Sequence, residues 1–434
     1  MYLGLSNPNT TRTTSTYTAT SGQTTFAATY DVGFLDVYQN GIKLITGTDY
    51  TATNGSSVVF VTGAALNDNV EIVAYKTFSI PNVYTQAQSD ARFVATAGNQ
   101  HKNYVINGKF DIWQRGTTQT TSGYGSADRW QFTNTGSTKT TSQQSFTLGQ
   151  TDVPENPKYF SRTVVTSVAA VGNFTANFQR MENVLLSSGK TFTLSFYAKA
   201  DATKNIAVEF TQSFGTGGAP SADVTSISVS TLALTTNWQK YTVTGTFPSV
   251  SGKTLGTAGN DYFQFIFWLE AGSTFNTRTN TLGQQSGTFD ISQVQLEEGS
   301  VATNFEYRSI QTELALCQRY YEKSFQLVTA PAQNVGTTGM HYFPQVVAAS
   351  TIMGTPTVRF IVPKRSTPTI TIFNPSAANA QIRNAAINAD FSGTTINTTG
   401  NPTSEVSFSV FGTAPAASAA GNGCGFHWTA DAEL

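Results

Sequence analysis

Aromatic, cationic and acidic side chains crowd into one stretch of this 434-residue chain. Trp113, Gln114, Arg115, Tyr124, Asp128, Arg129 and Trp130 fall within eighteen residues. That mix suits a sugar. The C–H faces of a pyranose stack on indole and phenol rings, while its hydroxyls need Arg, Asp or amide partners. Trp238 and Trp268 offer further rings, and Trp428 another near the chain end. The competing role for each ring is packing. Trp130 opens an alternating segment, where an indole belongs in a core, and Asp128–Arg129 then reads as a local ion pair that pins the start of a strand.

Other chemistries have thinner support. His101, His341 and His427 are scattered, and Cys317 and Cys424 stand far apart, with no metal or dyad spacing between them. Both cysteines read as small hydrophobes, and His427, between Phe426 and Trp428, as a packed ring. Glycoside hydrolysis needs two carboxylates across a cleft. Glu209, Glu270 and Glu297 are candidates, but a chain with 26 acidic residues offers such pairs by chance. No Gly-x-Ser-x-Gly elbow, His-Glu-x-x-His pair or short parallel repeat is present. The expectation is a protein that is not an enzyme.

Composition narrows the class. Charged residues make up 12%, half the usual ~25%. Net charge is −1, so the Lys/Arg excess that neutralises phosphates is missing and no nucleic-acid partner is expected. No apolar run reaches ~18 residues, so membrane insertion is not expected. Nor does the start of the chain read as a secretory signal. Hydrophobic residues at 39% and aromatics at 12% can build real cores.

The elements that must position these residues read as strands. In 1–78, Gly33-Phe-Leu-Asp-Val-Tyr-Gln alternates and runs into Asn40-Gly41, a strong hairpin signal. Short strands follow near Tyr50, Ser57 and Val70, which makes a small β sandwich or barrel. In 79–103, Ala87, Ala91 and Val94 recur at helical spacing, so this segment is a helical connector or a plain linker. Residues 104–308 carry many period-two segments, including 192–200, 206–210, 238–247, 262–269 and 288–296, and predict a two-sheet jelly roll. Residues 309–324 place Ile310, Leu314, Cys317 and Tyr321 on one helical stripe, with Ser309 as cap. Residues 325–434 return to strands and form a C-terminal β domain, in which Tyr342, Phe343, Phe426 and Trp428 would matter if it is the tip. The fold class is therefore mainly β and multidomain.

The order of several segments adds a resemblance. Thr16-Tyr-Thr-Ala-Thr-Ser-Gly-Gln-Thr-Thr-Phe and Val37-Tyr-Gln-Asn-Gly-Ile-Lys-Leu resemble small β modules in tail proteins of marine bacteriophages, cyanophages among them. Tyr84-Thr-Gln-Ala-Gln-Ser-Asp-Ala-Arg-Phe is similar to short helical connectors in phage tail fibres. Asn107-Gly-Lys-Phe-Asp-Ile-Trp-Gln-Arg-Gly-Thr and Ala127-Asp-Arg-Trp look like the opening of a carbohydrate-binding-like jelly roll, and Phe289-Asp-Ile-Ser-Gln-Val-Gln-Leu like its closing strand. Cys317-Gln-Arg-Tyr-Tyr and Trp428-Thr-Ala-Asp-Ala-Glu-Leu complete the pattern.

The resemblance implies a tail fibre or receptor-binding protein of a phage virion. Residues 1–78 would attach to the tail or baseplate, and the chain would form a homotrimer that binds host surface polysaccharide or lipopolysaccharide. It implies no required cofactor, but a structural calcium where the first and last strands of the jelly roll meet, with Asp111 and Asp290 at the corresponding places. A structural adaptor with no ligand, and a polysaccharide-degrading tailspike, are the alternatives.

Overall fold

The structure is a computed structural model, and it describes residues 12–75, 102–400 and 402–434. The expected connector at 79–103 and His101 therefore lie, apart from residues 102 and 103, outside the described residues. The chain divides into two compact units, Met1–Gly98 and Asn99–Leu434. Both are built from antiparallel sheets, so the mainly β, multidomain class holds. Among the described residues no helix is long and apolar enough to cross a membrane.

The first unit pairs a four-stranded sheet with a three-stranded one. Strands Arg12–Thr18, Asn69–Tyr75, Leu35–Gln39 and Ile42–Lys43 lie side by side in that order. Gln23–Ala27, Ser57–Ala64 and Tyr50–Thr51 make the other sheet. Asn40 and Gly41 both take positive φ, 49° and 81°, which is the backbone that a tight hairpin requires and that Asn-Gly supplies. Phe26, Val37, Val58, Phe60, Val70 and Ile72 fill the space between the sheets.

The second unit holds a β sandwich. One sheet orders Gln239–Thr246, Thr191–Ala200, Gly287–Glu298, Tyr159–Thr166, Thr138–Ser145 and Thr118–Gln119. The other orders Val224–Leu234, Lys204–Ser213, Tyr262–Ala271, Phe174–Glu182 and Gln131–Thr135. Period-two alternation drives the layering. Phe192, Leu194, Phe196 and Ala198 enter the core from one sheet and meet Phe263, Phe265 and Phe267 from the other. Phe196 and Phe267 meet edge-on at 4.7 Å, a favourable aromatic geometry.

The same unit continues into a second β region centred on Gly423–Asp431. That strand pairs with Tyr321–Lys323, His341–Pro344, Thr369–Phe373 and Arg383–Asn384. Phe343, Ile372, Phe408, Phe426 and Trp428 form its core. The helix expected over 309–324 runs only Ile310–Gln318, capped as predicted by the Ser309 hydroxyl on the Thr312 N–H at 3.2 Å. It stops because 321–323 pair instead with 429–431. Cys317 and Cys424 are free and buried, and His427 stacks on Phe325 at 4.1 Å.

One buried cation sits at the edge of the sandwich. Lys139 is 3% exposed and its ammonium donates to Thr121 O at 2.8 Å. Burial pushes its pKa down to about 8, against about 10.4 in an unfolded chain. Below pH 8 both states carry the charge and the fold bears the full burial penalty. Between about pH 8 and 10.4 the unfolded chain binds more protons, so stability climbs with pH. Urea midpoints of the full chain should rise across this window, and Lys139→Met should reduce the rise, with Lys323, also pushed by burial down to about 8, supplying the remainder.

Candidate functional site

The motif Asn107-Gly-Lys-Phe-Asp folds onto Ala127-Asp-Arg-Trp through the Asn107 side chain, which is fully buried. Its amide donates to Ile112 O at 2.8 Å and Asp128 O at 3.1 Å, and its carbonyl accepts the Ile112 N–H at 3.0 Å. The Trp130 indole N–H closes the knot on Asn107 O at 3.1 Å. Gly108 is required by a close approach: a Cβ there would lie 2.1 Å from Val294 O on the closing strand. The opening and closing segments of the sandwich are thus held in direct contact.

Four sequence-distant segments then meet in one buried charge network. Arg129, 1% exposed and at φ 71°, donates to the Glu433 carboxylate and to Arg180 O, with its guanidinium 3.4 Å over the Tyr320 ring. Arg115 reaches Glu433 at 3.1 Å and Asp431 at 3.2 Å, and lies 3.7 Å over Tyr321. Asp128 accepts from the Gln114 N–H and side chain, and burial raises its pKa although Arg115 opposes this. Tyr320 donates to Glu182, which Arg319 grips with two bonds at 3.0 and 2.9 Å. Lys323 donates to Gln114 O.

This location corrects most of the expected sugar contacts. Trp130 is 1% exposed and stacks on Phe110 at 4.8 Å, so packing is its role. Trp113 is 7% exposed and bonded to Phe110 O. Asp128, Arg129 and Arg115 are buried inside the network. Tyr124 is half-buried, its hydroxyl on Leu434 O and its pKa pushed by burial up to about 12. Trp428 is 6% exposed against Phe360 and Phe408, and Trp268 is 3% exposed with its N–H on Glu209. Phe343 and Phe426 are core residues, while Tyr342 is 62% exposed. A ring with both faces packed has none to offer a pyranose.

Trp238 differs. It is the one tryptophan of five that the fold leaves half-exposed. It sits on the outer face of the six-stranded sheet, next to the Ala198–Gln239 pair, with the Lys199 ammonium 5.4 Å from its ring. Phe289 and Ile291 enter the core, so Asp290 between them points out. Strand register then places Lys199, Asp290, Arg162, Ser142 and Thr118 in one row across five strands. Phe146 and Phe160 close on Trp238 at 5.1 and 5.2 Å. Beyond Phe146 opens a groove of about 430 Å³ lined by Leu148, Asn156 and Lys158.

The expected calcium pair does not assemble as a pair of free carboxylates. Asp290 takes both Arg162 bonds, at 2.7 and 2.8 Å, with Lys199 at 4.0 Å, and Asp111 pairs with Lys109 at 3.2 Å. Among the described residues no three His, Cys, Asp or Glu side chains cluster as ligands. The acid candidates are also engaged. Glu209 is fully buried between Arg278 and Trp268, Glu270 accepts from Ser167 and Thr175, and Glu297 accepts from Thr303 and Gln295.

No family model matches the chain, and neither does any curated protein. Solved structures match parts of it. The enzymatically active domain of bacteriophage CBA120 tailspike protein 4 is 15% identical, with a TM-score of 0.27 over 46% of this chain and 22% of that one. The chain thus spans less than a quarter of the tailspike domain. The family 11 carbohydrate-binding module from Clostridium thermocellum, in complex with a β-1,3-1,4-mixed-linked tetrasaccharide, is 11% identical with a TM-score of 0.26, over 43% of this chain and 99% of that one. The CBM22-1 xylan-binding domain from Paenibacillus barcinonensis is 12% identical with a TM-score of 0.24, over 44% and 93%. No function is carried across at these scores.

Two variants separate architecture from binding. Glu433→Gln leaves the buried Arg129 with a neutral partner and Arg115 with Asp431 alone, and should cost about 3–5 kcal/mol in urea unfolding of the full chain. Trp130→Ala should cost a similar ~3–5 kcal/mol, as expected of a core indole.

Proposed function

We propose that the chain is a phage tail-fibre protein whose sandwich holds the virion to a glycan on the host cell, without catalysis. The observation that carries this reading is Trp238, the half-exposed indole beside the outward row Lys199–Asp290–Arg162. A pyranose laid on that ring brings its hydroxyls toward two cationic donors, Lys199 and Arg162. Asp290, 2% exposed, holds Arg162 in place with two bonds from beneath. The flanking groove beyond Phe146 extends the surface past a single ring.

The tail role rests on the order of sequence motifs from Thr16 to Leu434. On this reading the location is the virion tail, residues 1–78 dock on tail or baseplate proteins, and the chain works as a homotrimer. A shallow site of this kind is weak alone, and linked copies raise avidity by roughly 10²–10⁴. The adaptor reading has one observation of its own: four of the five tryptophans are at most 7% exposed.

Binding of the purified full chain to host cells and to their extracted polysaccharide or lipopolysaccharide discriminates the two. Saturable binding, lost on glycan removal and weakened about fivefold to tenfold by Trp238→Ala, is the expected result. Absence of binding to every host glycan offered leaves the adaptor in its place.

A further inference from the structure

Three cations share the outer face of the six-stranded sheet. Ala198 and Ala200 enter the core on either side of Lys199, which turns Lys199 outward. Residues directly opposite each other share a face, so Asp290 and Arg162, in the same row, lie on that side too. Lys240 stands opposite Tyr197, two residues before Lys199, and joins them. Two carboxylates belong to this face, and both are covered. Asp290 is buried beneath Arg162, and Glu297, opposite Thr193, is buried and takes its bonds from Thr303 and Gln295. Asp201, past the end of the Lys199 strand, is matched by Lys204 at 3.9 Å.

The cations, by contrast, are within reach of solvent. The side chains of Arg162 and Lys199 are 34% and 29% exposed, and Lys240 is exposed. Their donors are also largely unspent. The Lys199 ammonium has Asp290 at 4.0 Å, beyond hydrogen-bond length, and among the described residues it donates to no acceptor. Lys240 spends one of three N–H groups, on Thr303 O at 3.0 Å. Arg162 alone is balanced, by its two bonds to Asp290. Two ammonium groups therefore lack a carboxylate, and one of them lies 5.4 Å from the centroid of the half-exposed Trp238 ring. A charge-assisted bond to an oxyanion is shorter and stronger than one to a neutral hydroxyl.

We infer that the Trp238 face prefers saccharides that carry an oxyanion, a uronate carboxylate or a sugar phosphate, with Lys199 as the first partner of that charge and Lys240 as the second. The inference rests on the glycan reading and adds the ligand class to it. Trp238 supplies the platform that any pyranose uses, and the two lysines supply the discrimination between charged and neutral ones.

Calorimetric titration of the full chain with trigalacturonate, its fully methylated ester, galactose 6-phosphate and galactose tests this. The acid should bind about fivefold tighter than the ester, or the phosphate about fivefold tighter than galactose, and the pair that responds identifies the oxyanion. Lys199→Gln should roughly halve that ratio, and it leaves Asp290 with both Arg162 bonds, so the fold is kept. Lys199→Gln combined with Lys240→Gln should bring the ratio close to one. Trp238→Ala should weaken charged and neutral sugars alike and leave the ratio unchanged. Lys253→Gln removes a cation from a different part of the sandwich, beside Phe214, and should also leave it unchanged. Equal binding of charged and neutral sugars by the unaltered chain, a ratio that survives the double variant, or one that falls as far with Lys253→Gln overturns the inference. If binding without charge preference still depends on Trp238, the glycan reading stands without it. Failure of all four sugars to bind overturns the inference, while binding to host polysaccharide decides the glycan reading on its own.

Discussion

The pairing of Arg115 and Arg129 with Glu433 is the constraint on which the larger unit depends. Each guanidinium is buried, and a buried charge is tolerated only with a partner and satisfied donors. The partner comes from the far end of the chain, and Tyr320 and Tyr321, which cover the two guanidiniums, come from the turn after the helix. The sandwich therefore completes its own charge balance only when the second β region has docked. This is the physical reason that 99–434 forms one compact unit, although sequence patterning breaks near 308 and again near 325.

The same network explains what the chain's motifs are for. Asn107 ties the opening turn to Asp128 and Trp130, Gly108 lets that turn reach Val294, and Gln114 relays Asp128 to Tyr321 O. Arg129 takes a left-handed φ of 71°, uncommon for a side chain of its size. The bonds on both sides of it over-determine that conformation. An aromatic and charged motif of this composition is what a sugar site needs, and also what a buried domain junction needs. Composition cannot separate the two, because stacking on a guanidinium and stacking on a pyranose call for the same residue types.

What was legible in the sequence follows from this. Thr191–Ala200 was readable because its alternation is local and sets one face in the core, and Tyr262–Ala271 because an apolar run of that length must be buried, here on both faces. The Asn40–Gly41 hairpin was readable because its backbone demands those residues. The helix end was not, since Tyr321–Lys323 becomes a strand only by pairing with residues more than a hundred positions away. The ion pair that holds Asp290 was not legible for a similar reason. Arg162, which engages Asp290, lies on a different strand, and no spacing rule links them. The exposure of Trp238 has no signal in the sequence, because it is decided by the sheet order and not by its neighbours along the chain.

Cation balance gives the remaining step. The network at the junction matches Arg115, Arg129 and Arg319 with Asp431, Glu433 and Glu182. On the outer sheet face, Arg162 and Lys199 share the single carboxylate of Asp290. Among the described residues, positive charge in excess of local carboxylate thus remains along the Trp238 row, as it does at Lys139 and Lys323, which bond carbonyls. The Trp238 row also carries aromatic rings, Trp238 and Phe160. A ring supplies an apolar platform and the unmatched cation a demand for negative charge. Together they leave the outer face of the six-stranded sheet with an apolar platform beside positive charge.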